Sequence, residues 1–407
     1  MHIIFLTHYF YPEGNAPASR TFDNCKRWVA KGHKVTVVTG APNVPDGIIY
    51  EGYKNRFFQQ EKMNGIRVIR VWTYIAANKG FLKRTLNYLS FMISSLFGIF
   101  LIKKADLVIA TSPQFFCGVA GFIFSKLKKL PFILEVRDIW PESIIATEAL
   151  KSRRLIKIFE YIELFLYRHS KKIVVVTKSF KKIISHKGIQ RDKIFIVKNG
   201  ADLTLFCPQD RENEVRKKFN LHGKFVISYV GTIGMAHALN QVLYVAKDLY
   251  ERKDIIFLIV GSGAERDILI RKKENKQLDN VIFIEKQFRH LIPSFYAASD
   301  ICLITLKNTS LFKTVIPSKI FEIMAMAKPI ILGVDGEARE IVEKSKSGLY
   351  VEPENHIELK KAILRLYNNP EIAQNLGRNG RRFVEKYFNR DNLANDYLEI
   401  LAQSLNS

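Results

Sequence analysis

The chain reads as an α/β protein of two doubly wound domains facing each other across a cleft, and three observations predict it. Short apolar, β-branched runs alternate with helical patterns from end to end, as parallel strands joined by crossover helices do. The pattern restarts once, near Phe225, after a polar and charged stretch over 203–224. At 407 residues the chain is long enough for two domains of ordinary size. The expected division is a first domain over 1–200, a linker over 201–224 and a second domain over 225–390. A C-terminal helix over 391–407 would cross back to the first domain.

In order, the first strand falls at about His2–His8, followed by a loop through Pro12, Gly14 and Pro17. A helix then runs through Trp28 to Lys31 and stops at Gly32. Val35–Thr39 and Ile66–Val71 are the next strands. The stretch between them, 41–64, is rich in Pro, Gly and aromatics and reads as a substrate loop at the carboxyl end of a strand. Leu107–Thr111, Phe132–Val136, Ile173–Val176 and Ile194–Val197 complete the first domain. Arg137, Asp138, Trp140 and Glu142 crowd the end of the strand over 132–136, where α/β proteins carry their chemistry; a loop in which Arg137 and Asp138 pair with each other has the same sequence.

Residues 85–102 carry no charge, and Lys83, Arg84, Lys103 and Lys104 flank them. By length the segment suits a bilayer-spanning helix. Asn87, Ser90, Ser94 and Gly98 recur at helical spacing, which equally suits a helix on a membrane surface or one buried between a sheet and its neighbours.

In the second half, strand Phe225–Val230 ends in Gly231-Thr232-Ile233-Gly234, and a helix is expected over His237–Arg252. Strand Ile255–Val260 ends in Gly261-Ser262-Gly263, without the third glycine of a dinucleotide fingerprint. Val281–Ile284 and Ile301–Leu306 follow. Pro317 and Ser318 then open a helix that stops before Pro329 and leads into an apolar strand. Lys319 lies in its first turn and Glu322 one turn on. A helix start with a Lys suits a diphosphate, and the carboxylate can accept two hydrogen bonds from a ribose diol. A capped amphipathic helix with a surface Lys and Glu gives the same spacing.

A 47% hydrophobic, 25% charged chain is globular rather than disordered. The net charge of +24 is lopsided: residues 1–200 hold 33 Lys/Arg against 13 Asp/Glu, while the rest holds 30 against 26. Such a field favours an anionic partner on the first half: membrane lipid, a phosphorylated substrate or nucleic acid. The four cysteines are far apart, which fits a reducing compartment. Met1–Leu6 runs straight into a strand, with no signal-peptide pattern.

Several stretches resemble one family. Asn199-Gly200-Ala201-Asp202 with Phe206, the segment Gly231–Ala246, the turn Gly261-Ser262-Gly263 and the stretch Pro317–Pro329 are similar to motifs of the family-4 retaining glycosyltransferases, which have the GT-B fold. Asp138-Ile139-Trp140-Pro141-Glu142-Ser143 further resembles bacterial O-antigen and capsule enzymes that transfer N-acetyl-L-fucosamine.

The resemblance implies that Glu322 holds the ribose, that Pro317, Ser318 and Lys319 hold the diphosphate, and that Gly231, Gly234, Gly261 and Gly263 let backbone approach the nucleotide. Gly14 would face the diphosphate or acceptor, and Asp138, with Arg137, would lie at the reacting centre. Departures from the pattern are Thr314 for an expected Glu, Thr232 and His237 for an Arg and a Lys, and Arg137 for a His. Phosphate charge would then fall to Lys319, Arg137 and Lys313. With no Asp-x-Asp pair in the chain, a metal-free site is expected, in which cations and helix dipoles neutralise the leaving diphosphate.

The function implied is a retaining hexosyltransferase of O-antigen, lipopolysaccharide or capsule biosynthesis. It would move a sugar from a UDP-sugar, bound by the second domain, to an undecaprenyl-diphosphate-linked acceptor on the first. The protein would be cytoplasmic and peripheral on the inner, anionic face of the cytoplasmic membrane, and need no cofactor. A UDP-sugar 2-epimerase of the same architecture is the alternative, separated by a product assay without acceptor. Nucleic acid is not expected as a partner, because no recognition motif appears.

Overall fold

The computed structural model describes residues 1–44, 47–76, 81–112, 114–146 and 152–406. The chain divides into two units, Met1–Lys198 with Arg390–Ser407, and Asn199–Asn389.

The first unit is an eight-stranded sheet. Its strands are β1 (His2–Leu6), β2 (Lys34–Gly40), β3 (Phe58–Met63), β4 (Ile66–Val71), β5 (Leu107–Thr111), β6 (Phe132–Val136), β7 (Lys172–Val175) and β8 (Ile194–Ile196). They lie in the order β3-β4-β2-β1-β5-β6-β7-β8, parallel except for β3. Strands such as β1 and β5 are continuous apolar runs because parallel strands are covered on both faces. The covering helices are α1 (Ala16–Ala30), α2 (Phe81–Phe97), α3 (Phe115–Lys128), α4 (Glu142–Ala146), α5 (Arg153–His169) and α6 (Lys178–His186). Asn15 caps α1 by accepting a hydrogen bond from the Ala18 N–H at 2.9 Å, and Pro17 occupies its first turn.

One expectation is corrected here. Residues 41–64 are not all loop, because β3 pairs antiparallel with β4 through a tight turn at Asn64 and Gly65, both with positive φ. The Asn-Gly pair was the available hairpin signal; the half-exposed, polar β3 masked it. The uncharged segment 85–102 is α2 continued by a 3₁₀ turn over Gly98–Leu101, and its small and polar residues face inward. Asn87, Ser94 and Ser95 are buried, and Gly98 packs on Val38. Small side chains let the helix approach the sheet closely.

The second unit is a six-stranded, all-parallel sheet of β9 (Phe225–Val230), β10 (Ile255–Val260), β11 (Val281–Ile284), β12 (Ile301–Thr305), β13 (Ile330–Gly333) and β14 (Gly348–Tyr350), in the order β11-β10-β9-β12-β13-β14. Its helices are α7 (Glu214–Lys218), α8 (Asn240–Asp248), α9 (Arg266–Asn275), α10 (Ile292–Ala298), α11 (Lys319–Ala325), α12 (Glu337–Ser345), α13 (His356–Asn368) and α14 (Pro370–Tyr387). One buried cluster includes Phe206, Tyr296, Phe321 and Met324; another includes Val242, Leu243, Leu359 and Ile363.

The stretch 201–224, expected as a linker, is packed into this unit. Arg216 is fully buried, donating to the Ala298 and Leu221 carbonyls and paired with Asp300 at 2.8 Å. Charged composition suggested a linker, yet these charges are satisfied internally. The helix expected over 237–252 is shorter, a 3₁₀ turn at Met235–His237 followed by α8. Ala238, in the left-handed region, separates the two.

The last helix, α15 (Arg390–Asn406), packs with the first unit. The Trp28 indole donates to the Ala394 carbonyl at 3.0 Å and meets the Tyr397 ring edge-on, while Arg390 pairs with buried Asp23.

Candidate functional site

Doubly wound sheets offer ligand crevices outside the carboxyl ends of the strands where the order reverses. In the second unit that point lies between β9 and β12. The turn Gly231–Gly234 follows β9, and α11, carrying Lys319 and Glu322, follows β12.

The two glycine turns are zipped to one another. The Gly231 N–H donates to the Val260 carbonyl and the Ile233 N–H to the Ser262 carbonyl, both at 2.9 Å. Gly261 has φ of +148°, and a Cβ there would lie 1.8 Å from the Gly231 oxygen, so only glycine fits. Gly263 packs likewise against Ile233. A Cβ on Gly231 would come within 2.6 Å of Lys319 Nζ, so this glycine leaves room for the ammonium.

Lys319 Nζ lies 3.9 Å from the centroid of the Tyr229 ring and has no hydrogen-bond partner among the described residues. Burial pushes its pKa down to about 7, with Glu322 partly opposing the shift. The Tyr229 hydroxyl donates to the Thr232 carbonyl at 2.7 Å, which fixes the ring beneath the ammonium. His237, beside Gly234, is pushed down to about 4, first by burial and then by the Lys319 charge. It is therefore neutral at physiological pH.

Burial raises the Glu322 carboxyl, while Arg289 and Lys319 oppose that shift. Arg289, in the short turn after β11, is a cation that the sequence reading missed. Its position just past the carboxyl end of a strand was the only signal.

Four other expected residues lie in the stretch that leads into α11. The Thr314 hydroxyl donates to the Leu311 carbonyl at 2.7 Å. Lys313 is paired with Asp335 at 3.1 Å, so its charge is already met. Ser318 precedes α11 with helical dihedrals and makes no side-chain cap, and Pro317 accepts from the Ile320 N–H at 3.1 Å.

In the first unit the order reverses between β1 and β5. Gly14 lies in the loop after β1, exposed and with open space where a Cβ would stand. Arg137 and Asp138 follow β6, the neighbour of β5, and their N–H groups both donate to the Ser112 hydroxyl, at 2.7 and 3.2 Å. Arg137 Nη1 donates to the Pro17 carbonyl at 3.1 Å, and its Nε has no partner among the described residues. Burial lowers its pKa to about 10 against the pull of Glu135. Burial raises Asp138 to about 6, with Arg137 opposing. Asp138 lines a cavity with Phe115, Trp140, Leu166, Tyr167 and Glu163. Fully buried Glu135 accepts from Arg20 Nε at 2.9 Å and Thr111 Oγ1 at 2.8 Å.

The two halves match two family models. Residues 15–200 match the glycosyl transferase 4-like domain, and residues 210–383 match glycosyl transferases group 1. Glycosyl transferase WcaI of Escherichia coli (strain K12), whose name assigns it to colanic acid biosynthesis, is 22% identical over 403 residues, 96% of this chain and 97% of that protein. An Escherichia coli UDP-Gal:alpha-D-GlcNAc-diphosphoundecaprenol alpha-1,3-galactosyltransferase is 22% identical over 306 residues, 72% of this chain and 74% of that protein. Anabaena Alr3699/HepE, solved in complex with UDP and glucose, superposes with a TM-score of 0.74 at 18% identity, covering 98% of this chain and 99% of that one. The fold is GT-B, and the chain belongs to the group 1, 4-like glycosyltransferases. That membership favours the transferase over the epimerase reading.

Proposed function

We propose that this glycosyltransferase moves a hexose, with retention of anomeric configuration, from a UDP-sugar to a saccharide carried on undecaprenyl diphosphate. The product would enter O-antigen, lipopolysaccharide or capsule assembly at the inner face of the cytoplasmic membrane. The observation that carries the donor assignment is the unpartnered ammonium of Lys319 beside Gly231. A shielded cation without hydrogen bonds is costly unless an anion completes it, and a nucleotide diphosphate is the anion this fold position suits. Glu322, one turn along, would accept hydrogen bonds from the ribose hydroxyls of a nucleotide so anchored.

The relatives support the chemical class. One is named for a UDP-galactose donor and a diphosphoundecaprenol-linked acceptor, and a structural neighbour was solved with UDP and glucose. The narrower proposal, N-acetyl-L-fucosamine as the transferred sugar, rests on the Asp138–Ser143 motif.

In the reaction the bond from the anomeric carbon to the diphosphate oxygen breaks and a bond to the acceptor hydroxyl oxygen forms, with loss of the hydroxyl proton. Lys319 stabilises charge on the leaving diphosphate, an electrostatic contribution that needs no metal. Arg137 and Asp138 act on the sugar or acceptor.

A thermal-shift screen of UDP, GDP and UDP-sugars tests the donor site, since a ligand that binds only the folded state raises its stability. UDP should stabilise the wild type and leave Lys319→Ala unmoved. Turnover of UDP-sugar to a UDP-sugar epimer without acceptor would instead establish the isomerase.

A further inference from the structure

α2 and the turn after it carry apolar side chains on their exposed face as well as on their buried one. Asn87, Ser94 and Ser95 are buried together with Phe91 and Ile99, whereas Leu82, Leu86, Ile93, Phe97 and Phe100 face solvent, with exposures of 70%, 46%, 54%, 46% and 79%. The inward polar groups are used: Asn87 Nδ2 donates to the Tyr74 carbonyl at 2.6 Å, and Ser95 Oγ to the Met92 carbonyl at 2.9 Å. The outward stripe continues onto the loop before β3, because exposed Phe57 meets the Phe97 ring at 5.9 Å. A continuous apolar face of this kind on a chain of ordinary composition marks an interaction surface.

We infer that this face docks into the headgroup layer of an anionic phospholipid bilayer. The inference rests on the proposed lipid-linked acceptor and adds which surface meets the membrane. Charge selects the occupant. Lys83, Lys103 and Lys104 are exposed at the two ends of the stripe, and residues 81–105 contain no Asp or Glu. Cations at both ends of an apolar face match anionic headgroups around an acyl boundary. A second copy of the chain fits poorly, since a twofold contact through α2 would bring the Lys83 end of one copy against the Lys103–Lys104 end of the other. The helix lies on the membrane rather than crossing it. Although Leu82–Leu101 is long and apolar enough to span, Phe91 and Ser95 are wholly buried against the unit and would have to leave it.

The test is flotation of the full chain with phosphatidylcholine vesicles with and without phosphatidylglycerol, alongside UDP thermal shift on the same samples. Phe97 and Phe100 are exposed, so the double variant Phe97→Ser/Phe100→Ser should fold. Wild type should float with the phosphatidylglycerol vesicles and be released by salt; the variant should partition more weakly by about tenfold or more, with its UDP shift unchanged. Lys103→Glu/Lys104→Glu should also detach. Wild type that ignores both vesicle types, or a variant that binds as wild type does, overturns the surface whatever UDP does. So does a lipid-independent dimer that the Phe97→Ser/Phe100→Ser variant dissolves. Vesicle binding without any nucleotide shift would instead remove the transferase reading and leave the membrane surface standing.

Discussion

Lys319 Nζ stands 3.9 Å over the ring of Tyr229 and has no hydrogen-bond partner among the described residues, with the charge of Glu322 partly supporting it. A quadrupole is a weak substitute for hydrogen bonds to an ammonium taken out of water. The protein thus holds a cation at a cost to its own stability, in the place where this sheet topology offers a ligand crevice.

Lys319→Met should therefore separate stability from binding. Removing a buried, unsatisfied donor should stabilise the ligand-free protein by about 1–3 kcal/mol. UDP should then produce no thermal shift. A variant that is destabilised and still binds UDP would show Lys319 to be structural.

The same residue predicts a pH dependence. Folding lowers the Lys319 pKa to about 7, so its penalty on stability is present at low pH and is relieved as pH rises through 7. A bound diphosphate would raise that pKa again, so binding takes up a proton. UDP affinity should accordingly fall by up to about tenfold per pH unit above 7. Isothermal titration in buffers of different ionisation enthalpy would measure the proton uptake. Lys319→Arg should flatten the profile between pH 7 and 9, because Arg stays charged.

Glu322→Gln should weaken UDP by about 1.5–3 kcal/mol for each charged hydrogen bond lost, roughly tenfold or more, with the fold intact. Deoxyribose analogues of UDP, already lacking one of these bonds, should be less sensitive to the substitution. Equal affinity of wild type and variant for UDP would take Glu322 out of the site.

Most of the fold was legible because its strands are buried on both faces and read as unbroken apolar runs, as in β1, β5 and β10. What was hidden follows from the same physics. β3 is a polar edge strand and carries no such run. The charges of 201–224 suggested a linker because the sequence does not say that Asp300 and the Ala298 carbonyl would meet Arg216. Around the candidate site, the glycine turns and Lys319 could be named from motif and resemblance, but not their mutual packing. Arg289 and Tyr229 act on Glu322 and Lys319 across the sheet's carboxyl ends, a proximity made by topology rather than by spacing along the chain.

Gly261→Ala tests that packing. A Cβ 1.8 Å from the Gly231 oxygen cannot be accommodated without moving backbone. The variant should lose roughly 3 kcal/mol or more of stability, along with its UDP response. Gly14→Ala, with open space at its Cβ, should leave stability within about 0.5–1 kcal/mol of wild type by comparison. Chemical denaturation of the two variants, side by side, reads the difference.

Asp138 predicts opposite pH trends for activity and stability. Burial raises its pKa to about 6, above that of the unfolded chain. Its contribution to stability is thus fully present below the unfolded value near 4 and is lost as pH rises through 6. If its carboxylate receives a proton or stabilises positive charge at the sugar, turnover should instead fall as pH drops through 6, while UDP affinity is little affected. Asp138→Asn should depress kcat by about a hundredfold or more, as loss of a positioned acid–base group does, and abolish the acid limb of the rate profile. It should keep the UDP thermal shift and lower the melting temperature little, since the neutral amide relieves the burial of a charge. An Asp138→Asn protein that turns over normally, or one that no longer folds, would assign the residue to holding the loop after β6 rather than to the reaction.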